Sequence, residues 1–260
     1  MAPEPSSNHW ALINSLLVEI AAADPQTRAN YTWPILHAAA IAARTSRPRI
    51  SVLELGVAGG SGLVAMERAA TAIESRLGVG IDVYGFDTGS GLPAPVDPRD
   101  VPFAAQPGYF PMDEERLRAR LQQAELVLGD VAKTVPAFLR STPAPVGFVS
   151  FDLDYYSSTR DALALLTGDW RALMPRIMCY FDDTHGYPWG DFNGARLAIN
   201  EFNAAALDRK VAQLYGLKYI LPGSEREQRW PEAMYLAHLF DHPAYSDPEG
   251  TELVTRLDLL

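Results

Sequence analysis

One short stretch limits what this chain can become. The segment Glu54-Leu-Gly-Val-Ala-Gly-Gly-Ser-Gly62 closes the apolar run at residues 50–55 and opens an alanine-rich run at 62–72. A short apolar run that ends in glycines and gives way to helical periodicity predicts a strand–turn–helix unit. Glycine there permits tight turns and close approach of a ligand, and the helix that follows presents free N–H groups. In open α/β sheets ligands bind at the carboxyl ends of the strands, near the topological switch. The spacing is not G-x-G-x-x-G, because Ala58 holds the middle position. Alone, the turn is equally a structural strand-to-helix connection.

The rest of the chain repeats the alternation. Two amphipathic helices are expected at 8–23 and 26–45, with Trp10, Ile13, Leu16, Leu17 and Ile20 on one face of the first. Strands are expected at 50–55, 82–86, 126–128, 146–151 and 176–181, and helices at 62–72, after Asp113 as N-cap, and near 131–140. Ser158 and Asp161 form a capping-box pattern that would open a helix over 159–174, and Asn193 can cap one over 194–207. Residues 89–112 are rich in Pro and Gly without periodicity, the pattern of a functional lid or a disordered segment. Two closing strands, 211–221 and 233–240, have no helix between them and suggest an antiparallel edge. The prediction is an α/β fold: a Rossmann-like, mostly parallel sheet with an antiparallel edge hairpin and helices on both faces.

Composition narrows the function. The 260 residues carry a formal net charge of −10, which disfavours a phosphate-tracking partner such as nucleic acid. The single cysteine, Cys179, lies in an apolar run and reads as core. The N-terminal residues lack a basic region followed by an apolar one, and the longest apolar stretch, near 35–43, is too short to span a bilayer. The expected setting is cytoplasmic, with no membrane partner; a homo-oligomer is left open.

Two further motifs sit at expected strand ends. Gly85-Phe-Asp-Thr-Gly-Ser-Gly-Leu-Pro93 places Asp87 beside the glycine turn, where an acid can accept hydrogen bonds from ribose hydroxyls, or close an Asx turn. Glu54, Gly56, Gly59, Gly60, Ser61, Asp87 and Thr88 are the candidate cofactor-binding residues, with Asp130, after the third strand, as an adenine contact. Val149-Ser-Phe-Asp-Leu-Asp-Tyr-Tyr-Ser-Ser-Thr159 ends the fourth strand and Tyr180-Phe-Asp-Asp-Thr-His185 the fifth. Neighbouring strand tips lie about 4.8 Å apart, so Asp152, Asp182 and Asp183 would converge. Three such carboxylates need a positive charge between them, and a hard divalent cation such as Mg²⁺ answers that need. Asp154 reads instead as a turn or capping residue. His185, just past the aspartate pair, is a candidate catalytic base beside Asp152, although a lone histidine is more often structural.

Taken in order, Glu54 to Ser61, Asp87 to Pro93, Asp152 to Thr159, Asp182-Asp183 and the Gly-Ala-Arg-x-Ala-x-x-x-Phe run from Gly194 to Phe202 resemble the macrocin O-methyltransferase family. The match covers roughly residues 50–205; Gly89 and Thr184-His185 stand where that family usually has aromatic residues. The resemblance implies a class I methyltransferase fold using S-adenosylmethionine (SAM), Mg²⁺ held by Asp152, Asp182 and Asp183, and transfer to a small-molecule hydroxyl, often on a sugar of a natural product. The expected organisation of the chain is an N-terminal helical cap (1–46), a SAM-dependent methyltransferase domain (47–245) and a C-terminal tail (246–260), although the resemblance itself does not reach the first ~45 residues or the closing hairpin. Two other readings stay open. Asp152-x-Asp154 could be the metal motif of a nucleotide-sugar glycosyltransferase, or the chain could bind SAM without catalysis.

Overall fold

A computed structural model describes residues 5–248, with side chains from His9 onward; most of the tail expected at 246–260 lies outside the described residues. Seven strands form one sheet in the order β3-β2-β1-β4-β5-β7-β6. Strands β1 (Arg49–Leu55), β2 (Gly80–Asp87), β3 (Glu125–Leu128), β4 (Val146–Phe151) and β5 (Leu173–Phe181) run parallel. Strands β6 (Arg209–Gln213) and β7 (Met234–Leu239) close the sheet antiparallel, with β7 lying between β5 and β6. The edge hairpin is therefore present, but its first strand stops at Gln213. Residues 214–221 leave the sheet through a turn and one turn of 3₁₀-helix, Leu217–Tyr219.

Helices α1 (Pro5–Ala23), α2 (Ala29–Arg44), α3 (Ser61–Leu77), α4 (Glu114–Arg118), α5 (Val131–Arg140), α6 (Tyr156–Ala162) and α7 (Gly194–Ala205) accompany the sheet. The apolar face foreseen for α1 is inward: Ile13, Leu17 and Ile20 are buried, with Trp10 and Leu16 packed against the same core. Helix α2 packs directly on β1, β4 and β5, with Tyr31 against Phe148 and Tyr180 and Ala38 against Gly147. Central strands β1 and β4 are buried almost throughout, as expected of a parallel sheet covered on both faces. No helix among the described residues is long and apolar enough to cross a membrane.

Two expected helix starts are built differently. The helix expected over 159–174 begins at Tyr156, ends at Ala162, and gives way to 3₁₀ turns, and Ser158 does not cap it. Its first turn is held instead by Asp100, a fully buried carboxylate from the irregular segment, which accepts from the Ser157 backbone N–H (2.7 Å) and hydroxyl (3.0 Å). A side chain distant in sequence satisfies the helix start, so the local pattern misplaces it. Asn193 precedes α7, but its side chain turns back onto the 188–190 loop, accepting from Gly190 N and donating to Pro188 O. Asp113 and Asp130 do cap, accepting from the backbone N–H groups of Arg116 and Ala132.

Candidate active site

The parallel register aligns Phe86, Leu55, Phe151 and Phe181 in one row across β2, β1, β4 and β5. One residue further along each strand stand Asp87, Gly56, Asp152 and Asp182, so four motifs scattered over the sequence meet at one edge. Strand order reverses between β1 and β4, the switch point at which ligands bind in open α/β sheets. A cleft of about 550 Å³ opens there, lined among others by Gly56, Ala58, Asp87, Thr88, Gly129, Asp130, Asp152, Asp154, Asp182 and Asp183.

The glycine turn is shaped as much by the protein as by any ligand. Gly56 has φ +91°, and a Cβ there would collide with the Asp152 carbonyl oxygen, so glycine is what lets β1 and β4 close up at their tips. Gly60 has φ +77°, and its α-carbon is covered by the Leu117 side chain. Gly59 and Ser61 are exposed at the start of α3. Asp87 accepts from Val57 N (2.8 Å), Ala58 N (2.9 Å) and Gly89 N (2.7 Å), which ties the turn of β1 to the tip of β2. The last of these bonds closes the Asx turn weighed from the sequence, while the same side chain lines the cleft. Thr88 donates to Gly91 O. Glu54 does not line the cleft: it is buried beneath Gly62, and its Oε1 accepts from the Tyr31 hydroxyl at 2.7 Å. Burial pushes its carboxyl up to about 8, against the opposing pull of the Tyr31 bond.

At the tips of β4 and β5, carboxylate oxygens of Asp152, Asp182 and Asp183 lie within 4.8 Å of one another. Asp154 joins them. It adopts φ +57°, lines the cleft, and donates its backbone N–H to Asp183 Oδ2 at 2.9 Å. Burial and the neighbouring carboxylates push Asp152 and Asp183 well above the usual carboxylate range, and burial with Asp182 pushes Asp154 up to about 6. The Arg28 guanidinium opposes the shift at Asp152 more weakly than each of these causes. An all-oxygen set this crowded fits a hard divalent cation and lacks the sulfur and imidazole donors that zinc favours.

His185 is not with them. It lines a second cleft of about 360 Å³ beyond the turn, with Asp191, Arg196, Asn200 and Tyr235, and its buried Nδ1 has no hydrogen-bond partner among the described residues. The 3₁₀ turn Asp182–Thr184 separates it from the aspartates: residues 182 and 183 face the first cleft, residues 184 and 185 the second. The Pro/Gly-rich segment is an ordered strap. Leu92 N donates to Tyr109 O, Gly108 N donates to Leu92 O, Asp100 anchors the middle, and Tyr109 and Phe110 line the mouth. Asp100, Leu117 and Tyr31 carry no local sequence signal of their roles; Asp154 had one in its D-x-D spacing.

No family model and no curated protein sequence matches the chain. Its fold is similar to that of CalS11, a calicheamicin methyltransferase, at 23% identity over 83% of this chain and 91% of that one, with a TM-score of 0.52. The O-methyltransferase NovP is 19% identical over 76% and 90% of the two chains, with a TM-score of 0.48. The first likeness shows the fold alone, a Rossmann-like α/β sheet, mostly parallel with an antiparallel edge.

Proposed function

We propose that this chain is a Mg²⁺-dependent O-methyltransferase that moves the methyl group of SAM to a hydroxyl of a small molecule, of the macrocin O-methyltransferase type, with a sugar of a natural product as the acceptor class. The observation that carries the reading is the meeting of two half-sites in one cleft. The glycine turn with Asp87 lies at its β1–β2 end, and three convergent carboxylates lie at its β4–β5 end. The methyltransferase-type fold supports it, and so do the ordered motifs.

When bound, SAM supplies an activated methyl and Mg²⁺ acidifies and fixes a hydroxyl. The residues of the chain do the rest. Asp87, Thr88 and the turn at Gly56–Ala58 hold the adenosine side, with Asp130 at the adenine end. Asp152, Asp182 and Asp183 hold the cation. A carboxylate oxygen of Asp152 left free by the cation would be the group placed to take the hydroxyl proton, since Asp152 lines the cleft between the glycine turn and the aspartate pair. His185 takes no part, because it faces the other cleft. Tyr109 and Phe110 exclude water at the mouth.

Calorimetry and thermal shift with SAM, its demethylated product and uridine diphosphate glucose, each with and without Mg²⁺, test the reading. SAM at 100 times its dissociation constant should stabilise the protein by about 2.7 kcal/mol. Binding of the sugar nucleotide in place of SAM would favour the glycosyltransferase. SAM binding with no metal uptake would favour a non-catalytic binder.

A further inference from the structure

The parallel register places a second row, Glu54, Ser150 and Tyr180, across β1, β4 and β5, two residues before Gly56, Asp152 and Asp182 on their strands. Side chains two apart on a strand share a face, so this polar row lies directly beneath the cleft floor. Tyr31, from α2, covers it: its ring stands perpendicular to that of Tyr180 at 6.4 Å, and its hydroxyl bonds Glu54. Buried polar groups cost stability unless they are hydrogen-bonded, and the Tyr180 hydroxyl finds its partner in the layer above, at Asp182.

The three metal-facing carboxylates are not held alike. Asp152 and Asp183 are half-buried; the Asp152 backbone N–H is pinned to Leu55 O (2.9 Å), and Asp183 accepts from Asp154 N. Asp182 is exposed, and a free exposed carboxylate turns about its χ angles. What holds it is the Tyr180 hydroxyl, which donates to Asp182 Oδ1 at 2.6 Å from a ring only 7% exposed. The phenol cannot follow the carboxylate away, because β4, β7 and Tyr31 fix the ring: Tyr180 pairs with Ser150 on one side and Met234 on the other.

We propose that Tyr180 is a positioning residue for the metal: its buried hydroxyl holds Asp182 in the orientation that completes the three-carboxylate site. The inference rests on the metal-binding reading above and adds to it the group that orders the most exposed ligand. Groups that orient metal ligands through a hydrogen bond typically contribute 10- to 100-fold in metal affinity when removed.

The test is Mn²⁺ binding, followed by electron paramagnetic resonance, to the full chain saturated with demethylated SAM. Tyr180→Phe removes one oxygen and keeps the packed ring. It should weaken Mn²⁺ about 10- to 100-fold, leave the affinity for demethylated SAM within about twofold, and leave the melting temperature of the metal-free protein unchanged. Tyr31→Phe, which removes a hydroxyl from the same layer but one bonded to Glu54, should leave Mn²⁺ affinity unchanged. Equal Mn²⁺ affinity in the wild type and Tyr180→Phe would overturn the proposal. So would a Tyr180→Phe protein that loses cofactor affinity and melting temperature along with Mn²⁺, or an equal Mn²⁺ loss in Tyr31→Phe, since either makes the layer mere packing. A wild type that takes up no Mn²⁺ removes the metal reading itself, a failure told apart because it appears before any substitution.

Discussion

At the tips of β1 and β2, Asp87 accepts three backbone N–H bonds. At the tips of β4 and β5, four carboxylates crowd together, and the donors they find among the described residues are one backbone N–H and one phenol. The first region is electrostatically self-contained. Gly56 meets the Asp152 carbonyl and Gly60 the Leu117 side chain, while Gly59 faces open space, so protein atoms set two of the turn's three glycines. In the second, burial and repulsion by neighbouring carboxylates both act against ionisation of Asp152 and Asp183. One half of the cleft is tied by backbone donors, and the other is a carboxylate cluster that, on the proposed reading, a cation completes.

The largest effect should come from breaking the second half alone. Asp152→Ala or Asp182→Ala removes a ligand outright, and metal affinity should fall by more than the roughly 100-fold that marks loss of an orienting group. Mg²⁺-dependent activity should go with it, while affinity for demethylated SAM survives because the turn and Asp87 are untouched. A chelator should mimic the variants, with added Mg²⁺ rescuing only the wild type. Equal loss of cofactor binding in these variants would show that the halves are not separable. Calorimetry of both ligands on each variant decides it.

The sequence made one half more legible than the other. Strand ends and paired aspartates are local signals, and once parallel pairing aligns the strands, Asp152, Asp182 and Asp183 must approach; the structure brings them within 4.8 Å. The cofactor-contact expectation for Glu54 rests on a motif, which carries no information about which way a side chain points. Being two residues before Gly56 on a strand puts it one layer down, beneath Gly62, where Tyr31 meets it. His185 stands in the other cleft because a single 3₁₀ turn, Asp182–Thr184, changes the facing between Asp183 and Thr184, which no local pattern signals. Asp100 carries no readable signal: it lies in a segment without periodicity, and although Val96 N is a local partner, Ser157 is brought to it only by tertiary folding.

A middle-sized effect should appear in the pH dependence of stability, and it tests how self-contained the first half is. Glu54 is raised from 4.5 to about 8 in the folded chain. The folded state therefore holds a proton that the unfolded state has released, and stability must fall as pH rises from about 4.5 to about 8, and level off beyond. Glu54→Gln keeps the acceptor for Tyr31 and cannot ionise. Urea unfolding at pH 5 and pH 8 in chelator should show the wild type losing stability relative to Glu54→Gln, by on the order of 3 kcal/mol. Parallel curves for the two proteins would mean that Glu54 is ionised in the folded chain, with some further donor reaching its second oxygen.

The smallest effect concerns the member of the acidic cluster that the sequence assigned to a turn. Asp154 sits at φ +57°, a conformation that costs a residue with a Cβ about 1–2 kcal/mol relative to glycine. Its backbone N–H, not its side chain, makes the bond to Asp183. Asp154→Gly therefore keeps that bond, relieves the backbone, and removes one negative charge from a crowded site, against a gain of unfolded-state freedom of about 0.4–1 kcal/mol. The metal-free protein should be unchanged or more stable by up to about 1 kcal/mol in urea titration. If Asp154 only shapes the turn, Mn²⁺ affinity should change by less than about threefold, because a ligand set of Asp152, Asp182 and Asp183 is left whole and its loss would cost far more. A tenfold weakening would instead make Asp154 a fourth oxygen donor. The strained backbone would then be what swings its carboxylate toward Asp182, and the fold would be holding strain to gain a ligand.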